Sequence, residues 1–133
     1  MLVRITSNVL RACALIALIL GIVLWSVPVR GALVLIHMLL GILVVLSLFI
    51  LAYAIATAPR GRNVGLAIGA VVLGLLQAYI GLSQTGSLYL SPSTHWIIQV
   101  THLILGLLAI GIGEAISGRY RRSNKTVQAE LQR

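Results

Sequence analysis

Acidic residues are almost missing from this chain: its 133 residues include no aspartate and only two glutamates, Glu114 and Glu130. That scarcity excludes chemistry built on paired carboxylates or on a Ser-His-Asp set. It also removes the deep carboxylate that a small proton-coupled four-helix exporter requires. The single cysteine, Cys13, has no partner for an internal disulfide and belongs to no CxxC pair. It reads as a small apolar helix residue. No glycine-rich phosphate loop is present. Charged residues of either sign make up 9% of the chain, against about 25% in ordinary soluble domains.

What fills the chain instead is apolar. Hydrophobic residues account for 59%, the mean hydropathy is +1.07, and three stretches, 12–29, 31–59 and 63–113, contain no Asp, Glu, Lys or Arg. A membrane-spanning helix needs about 20 apolar residues. The first two stretches therefore hold one span each and the third holds two with a turn between them. The expected class is all-α, an integral membrane up-down-up-down four-helix bundle in the lipid of the cell membrane, with helices over about 10–27, 31–57, 64–83 and 94–117. These form one domain over 1–122, followed by a polar, flexible tail over 123–133.

The net charge of +8 is explained by where the cations sit. Arg4 and Arg11 precede the first span, Arg60 and Arg62 lie between the second and third, and Arg119, Arg121, Arg122 and Lys125 follow the fourth. Only Arg30 occupies the opposite set of loops. The positive-inside rule then places both termini in the cytoplasm, and the charge calls for no nucleic acid as partner. The first span reads as retained, because "VPVRGA" at 27–32 has no A-x-A cleavage pattern. "APRGRN" at 58–63 is a polar turn, Trp25 and Tyr89 suit the outer interface, and Ser93 or Thr94 caps the fourth helix. "GLAIG" at 65–69 matches GxxxG and reads as close packing within the bundle.

Two stretches repeat one pattern, "HMLLG" at 37–41 and "HLILG" at 102–106. Aligning His37 on His102 superposes Gly41 on Gly106, so helices 1–2 and 3–4 look like two copies of one hairpin. Histidine in the hydrocarbon region is costly and points to function. His37 lies six residues beyond Gly31, and His102 six beyond Trp96. Helices 2 and 4 run in the same direction in an up-down-up-down bundle, so both imidazoles are expected roughly 9 Å below the outer interface, facing one another across the centre. A bare zinc ion needs about four ligands, whereas an iron already holding four porphyrin nitrogens needs one imidazole from each side. Gly41 and Gly106, one turn inward, leave room for a porphyrin edge. Arg30 and His95, each seven residues before a histidine, sit where propionates would reach a polar edge. Gln99 is placed to bond an imidazole or line the pocket, and Thr101 to bond back to its own helix. Glu114 is expected at the inner interface. The plainer reading of His37 and His102 is hydrogen-bonded glue between helices, worth about 1 kcal/mol.

"LLQAYIG" at 75–81, followed by an outer loop and "QVTHLILGLL" at 99–108, resembles helices 3 and 4 of one half of the heme A synthase family. That family also includes single-unit forms of about this size, and the resemblance implies His37 and His102 as axial heme ligands. The catalytic half of the family carries an outer-loop glutamate and a cysteine pair, but here the 1–2 connection is only "VPVRG", and Leu33 and Met38 flank His37 where an acid and a base would be expected. The combined expectation is a heme b-like group between His37 and His102, used for respiratory electron transfer with quinone or a partner subunit, or for heme handling. A synthase-type enzyme would instead contain heme O or heme A. A third reading is a cofactor-free accessory subunit of a membrane respiratory complex; the partners expected beside lipid are quinone, a respiratory-complex subunit or a second copy in a homo-oligomer.

Overall fold

The computed structural model describes residues 1–27, 31–58, 62–84 and 95–131, with side chains described as far as Ser123. Four helices account for nearly all of them: α1 (Leu2–Ser26), α2 (Ala32–Ala56), α3 (Val64–Leu82) and α4 (His95–Leu131). Valine and isoleucine, weak helix formers in water, are abundant in all four. In an apolar solvent the backbone must satisfy its own hydrogen bonds, and the helix does so within one segment. All four helices are long and apolar enough to cross a membrane, which makes this a multi-pass membrane protein by length and composition.

The ends of the helices have local causes. Asn63 caps α3, its side chain accepting a 2.8 Å bond from the Leu66 N–H, which satisfies one of the free donors of the first turn. Gly31 precedes α2 with φ +87°, a backbone state open to glycine and costly for residues with a Cβ. Two expected limits move. α1 begins at Leu2 rather than near 10, because Val3, Thr6, Ser7 and Leu10 are buried at helical spacing and carry the packed face outward past the apolar run. α4 continues to Leu131 rather than closing near 117. Tyr120 packs against the core one turn past the expected stop, and propagating an existing helix is far easier than starting one.

α1 packs on α2 and α4, α3 packs on α2 and α4, and α2 meets α4 across the diagonal. Gly21 lies against His37, Gly74 against Phe49, Val45 and Leu48, Gly81 against His102, and Gly113 against Leu10 and Leu51. Of the glycines in "GLAIG", Gly69 packs on Ile112 of α4, as close packing within the bundle requires. The closed core gathers at one end, where Leu10, Leu48, Leu51, Ile55 and Ile116 are fully buried. At that end Arg11 clasps Glu114, Nε to Oε1 at 2.5 Å and Nη2 to Oε2 at 2.6 Å. Arg121 donates to the buried Ser7 hydroxyl at 3.2 Å. Outward-facing side chains such as Leu35, Ile68 and Leu107 remain more than half exposed, a surface compatible with a lipid environment.

Candidate functional site

The opposite end of the bundle holds the histidines. His37 is the sixth residue of α2 and His102 the eighth of α4, and the diagonal contact between these helices brings their rings to a centroid separation of 6.1 Å with the planes tilted by 54°. Both side chains are half-buried. Nδ1 of each ring is buried and has no hydrogen-bond partner. A buried polar atom left in this state costs about 1–3 kcal/mol.

Each ring rests on a glycine of the preceding helix. A Cβ at Gly21 would stand 3.3 Å from His37 Cε1, and one at Gly81 only 3.0 Å from His102 Cε1. The absent side chains on α1 and α3 therefore allow the imidazoles to lie close to the neighbouring backbone. The backbone of Ala17, one turn before Gly21, interacts electrostatically with the His37 ring but makes no hydrogen bond at Nδ1. On the other side Gln77, one turn before Gly81, donates from Nε2 to His102 Nε2 at 3.4 Å. Its Oε1 is buried without a partner.

The remaining expected residues divide. Gly41 has nothing within 4 Å of where a Cβ would stand, whereas Gly106 has Gln77 Nε2 at 3.3 Å. His95 opens α4 and is partly exposed. Gln99 is half-buried, but the amide that reaches His102 comes from Gln77 on α3. Thr101 is exposed. Arg30, Tyr89, Ser93 and Thr94 lie outside the described residues. Glu114 sits far along α4 from His102, its carboxylate taken up by Arg11. Sequence reasoning missed Gly21 and Gly81 as the seats of the rings. The repeat offered a signal for them: "ALILG" at 17–21 and "QAYIG" at 77–81 both end on a glycine late in an odd-numbered helix.

The geometry of the ring pair discriminates among the groups two imidazoles can hold. A first-row metal bonds imidazole nitrogen at about 2 Å, and the ring centre lies about 1 Å behind that nitrogen. Two imidazoles on opposite faces of one iron therefore have centroids roughly 6 Å apart, in line with the 6.1 Å found here. No group of three or more His, Cys, Asp or Glu side chains suited to a metal occurs among the described residues, so the pair does not complete a bare-ion set. As interhelical glue the pair is only partly used: His102 Nε2 meets Gln77 across α3 and α4, while neither Nδ1 has a hydrogen-bond partner. Comparison with protein-family models, with curated proteins and with solved structures gives no match.

Proposed function

We propose that this is a heme-binding membrane protein in which His37 and His102 serve as axial ligands, acting in respiratory electron transfer or heme handling. The observation that supports it best is the facing imidazole pair at 6.1 Å, each with a buried nitrogen lacking a partner. The bundle is read as up-down-up-down, with both termini cytoplasmic and the histidines toward the outer face of the cell membrane. Held there, a b-type heme would supply a reversible one-electron couple.

The chain's own residues do the rest of the work. The glycine seats hold the rings against α1 and α3, while Gly41 offers an open helix face and Gly106 is covered by the Gln77 amide. His95 and Arg30 belong to the polar rim in this reading, and Gln99 lines the wall. The side chains around the half-buried rings are mostly apolar, so a few oriented dipoles weigh heavily in the electrostatics there. Quinone or a partner subunit is the natural exchange partner for an electron held near the membrane surface.

The test is the visible spectrum of the protein purified in mild detergent, oxidised and dithionite-reduced, for wild type, His37→Ala and His102→Ala. Sharp reduced α and Soret bands that are lost or shifted in both variants support the reading. The extracted porphyrin then separates a b-type carrier from a heme A synthase-type enzyme. A wild-type protein that stays colourless after hemin is added overturns the heme reading and favours an accessory subunit.

A further inference from the structure

The seam between α1 and α4 at the core end carries more positive charge than its own groups satisfy. Arg4, Ser7, Asn8 and Arg11 share one face of α1 by their spacing, as Glu114, Gly118 and Arg121 share one face of α4. Three arginines thus meet one carboxylate on these faces, a net charge of +2. Arg11 takes both oxygens of Glu114 and reaches Asn8 Oδ1 at 3.3 Å. Arg121 acts on Glu114 electrostatically, but its hydrogen bond goes to the neutral hydroxyl of Ser7, which itself donates to the Arg4 carbonyl. The Arg4 side chain, exposed one turn from Ser7, makes no ion pair among the described residues.

The depth of the seam selects its ligand. Arg11 and Glu114 are the first charges beyond the uncharged runs 12–29 and 63–113, so their clasp marks the edge of the hydrocarbon. Ser7, where the Arg121 guanidinium rests, lies one turn farther out, about 6 Å along the axis, within a headgroup layer about 5–8 Å thick. At the same level α4 presents Gly118, where a Cβ would meet nothing within 4 Å. We propose that this notch holds the phosphate of an anionic phospholipid, with the guanidinium groups of Arg121 and Arg4 as its donors. The planar fork of a guanidinium matches phosphate oxygens two at a time. A zwitterionic lipid brings the same phosphate together with its own cation, which the positive seam repels, so a headgroup without an amine, such as phosphoglycerol, is preferred. The bound lipid neutralises the seam and bridges α1 to α4 outside the clasp. The site is independent of the histidine end.

The test is native mass spectrometry of delipidated protein in mild detergent, titrated with phosphatidylglycerol, phosphatidylcholine or inorganic phosphate. Wild type retains phosphatidylglycerol in preference to the other two. Arg121→Gln and Arg4→Gln each weaken that binding about fivefold, the contribution of one cation beside an anionic lipid. Gly118→Leu, which alters no charge and suits a helix, weakens it comparably by filling the notch. Arg62→Gln removes the same charge at the same end of the bundle but just before α3, and leaves the affinity unchanged. Circular dichroism checks that each variant keeps its helices, and Arg121→Lys, which retains the charge without the fork, replaces Arg121→Gln if that variant does not. Equal losses in Arg62→Gln and Arg121→Gln, as diffuse attraction would give, overturn the proposal. So does phosphatidylcholine that binds as tightly as phosphatidylglycerol, or inorganic phosphate that does, since the notch would then take a free anion.

Discussion

The two ends of this bundle are built on different terms. At the end where Arg11 clasps Glu114, all four helices contribute to a closed core, and Leu10, Leu48, Leu51, Ile55 and Ile116 are shut away completely. At the histidine end, residues 17–27, 31–43, 75–84 and 95–108 contain only two buried side chains, Ser83 and Ile98. Glycine is used differently as well. Gly113 admits the branched ends of Leu10 and Leu51, while Gly21 and Gly81 admit imidazole rings. Side chains alone thus hold one end, and the other is arranged around two polar rings with unsatisfied nitrogens. In a membrane, where lipid is as apolar as leucine and supplies little drive for helices to associate, tight packing has to hold the bundle together. The core end has that packing, which leaves the histidine end free to be organised for something other than stability.

The largest expected effect would break this contrast if it failed. Leu51→Ala at the core end should destabilise by about 2–4 kcal/mol, the cost of a cavity in a packed site, whereas Leu33→Ala, one turn from His37, should cost under about 1 kcal/mol. Reversible unfolding in mixed micelles compares the two, and equal costs would mean that the ends are packed alike. Next in size, hemin at a hundredfold excess over its dissociation constant should stabilise by about 2.7 kcal/mol. Slowed amide exchange should concentrate in 33–41 and 95–106, and protection spread evenly over all four helices would count against a site at that end.

The glycines sharpen the comparison further. Gly81→Ala pushes a methyl to within 3.0 Å of His102 Cε1 and should broaden or shift the heme bands, at a stability cost of about 1–2 kcal/mol. Gly41→Ala, which meets nothing within 4 Å, should leave the spectrum unchanged and slightly favour the helix. The smallest effect belongs to the clasp. Glu114→Gln keeps the shape but removes the charge, and because both partners are well exposed the change should register only as faster exchange in the first turns of α1. A lost heme spectrum in that variant would show that the two ends are coupled.

Much of this was readable in advance, for physical reasons that also mark where reading stops. Runs without charge reveal the spans because lipid tolerates little else, and the histidine pair stands out because imidazole is rare there. The ends of α1 and α4 were not legible, since at the interface an amphipathic turn such as Val3 to Leu10 extends a helix without any change in the apolar run. The partner of His102 was sought on its own helix at Gln99. Gln99 shares a face with His102 at i, i+3 spacing, but sequence spacing carries no information about neighbouring helices, and the amide that arrives is Gln77 of α3. Which glycine faces which ring depends on how each helix is rotated about its axis. A run such as 64–82, apolar around most of its circumference with Gln77 its one amide, carries little sign of that rotation.

The clasp between Arg11 and Glu114 joins residues 103 positions apart, α1 to α4. During synthesis the arginine is made early, and its carboxylate emerges only when the fourth helix does. Until that moment the seam between α1 and α4 is the unsealed side of the bundle, and the nascent protein is an open sleeve that the final helix buttons shut.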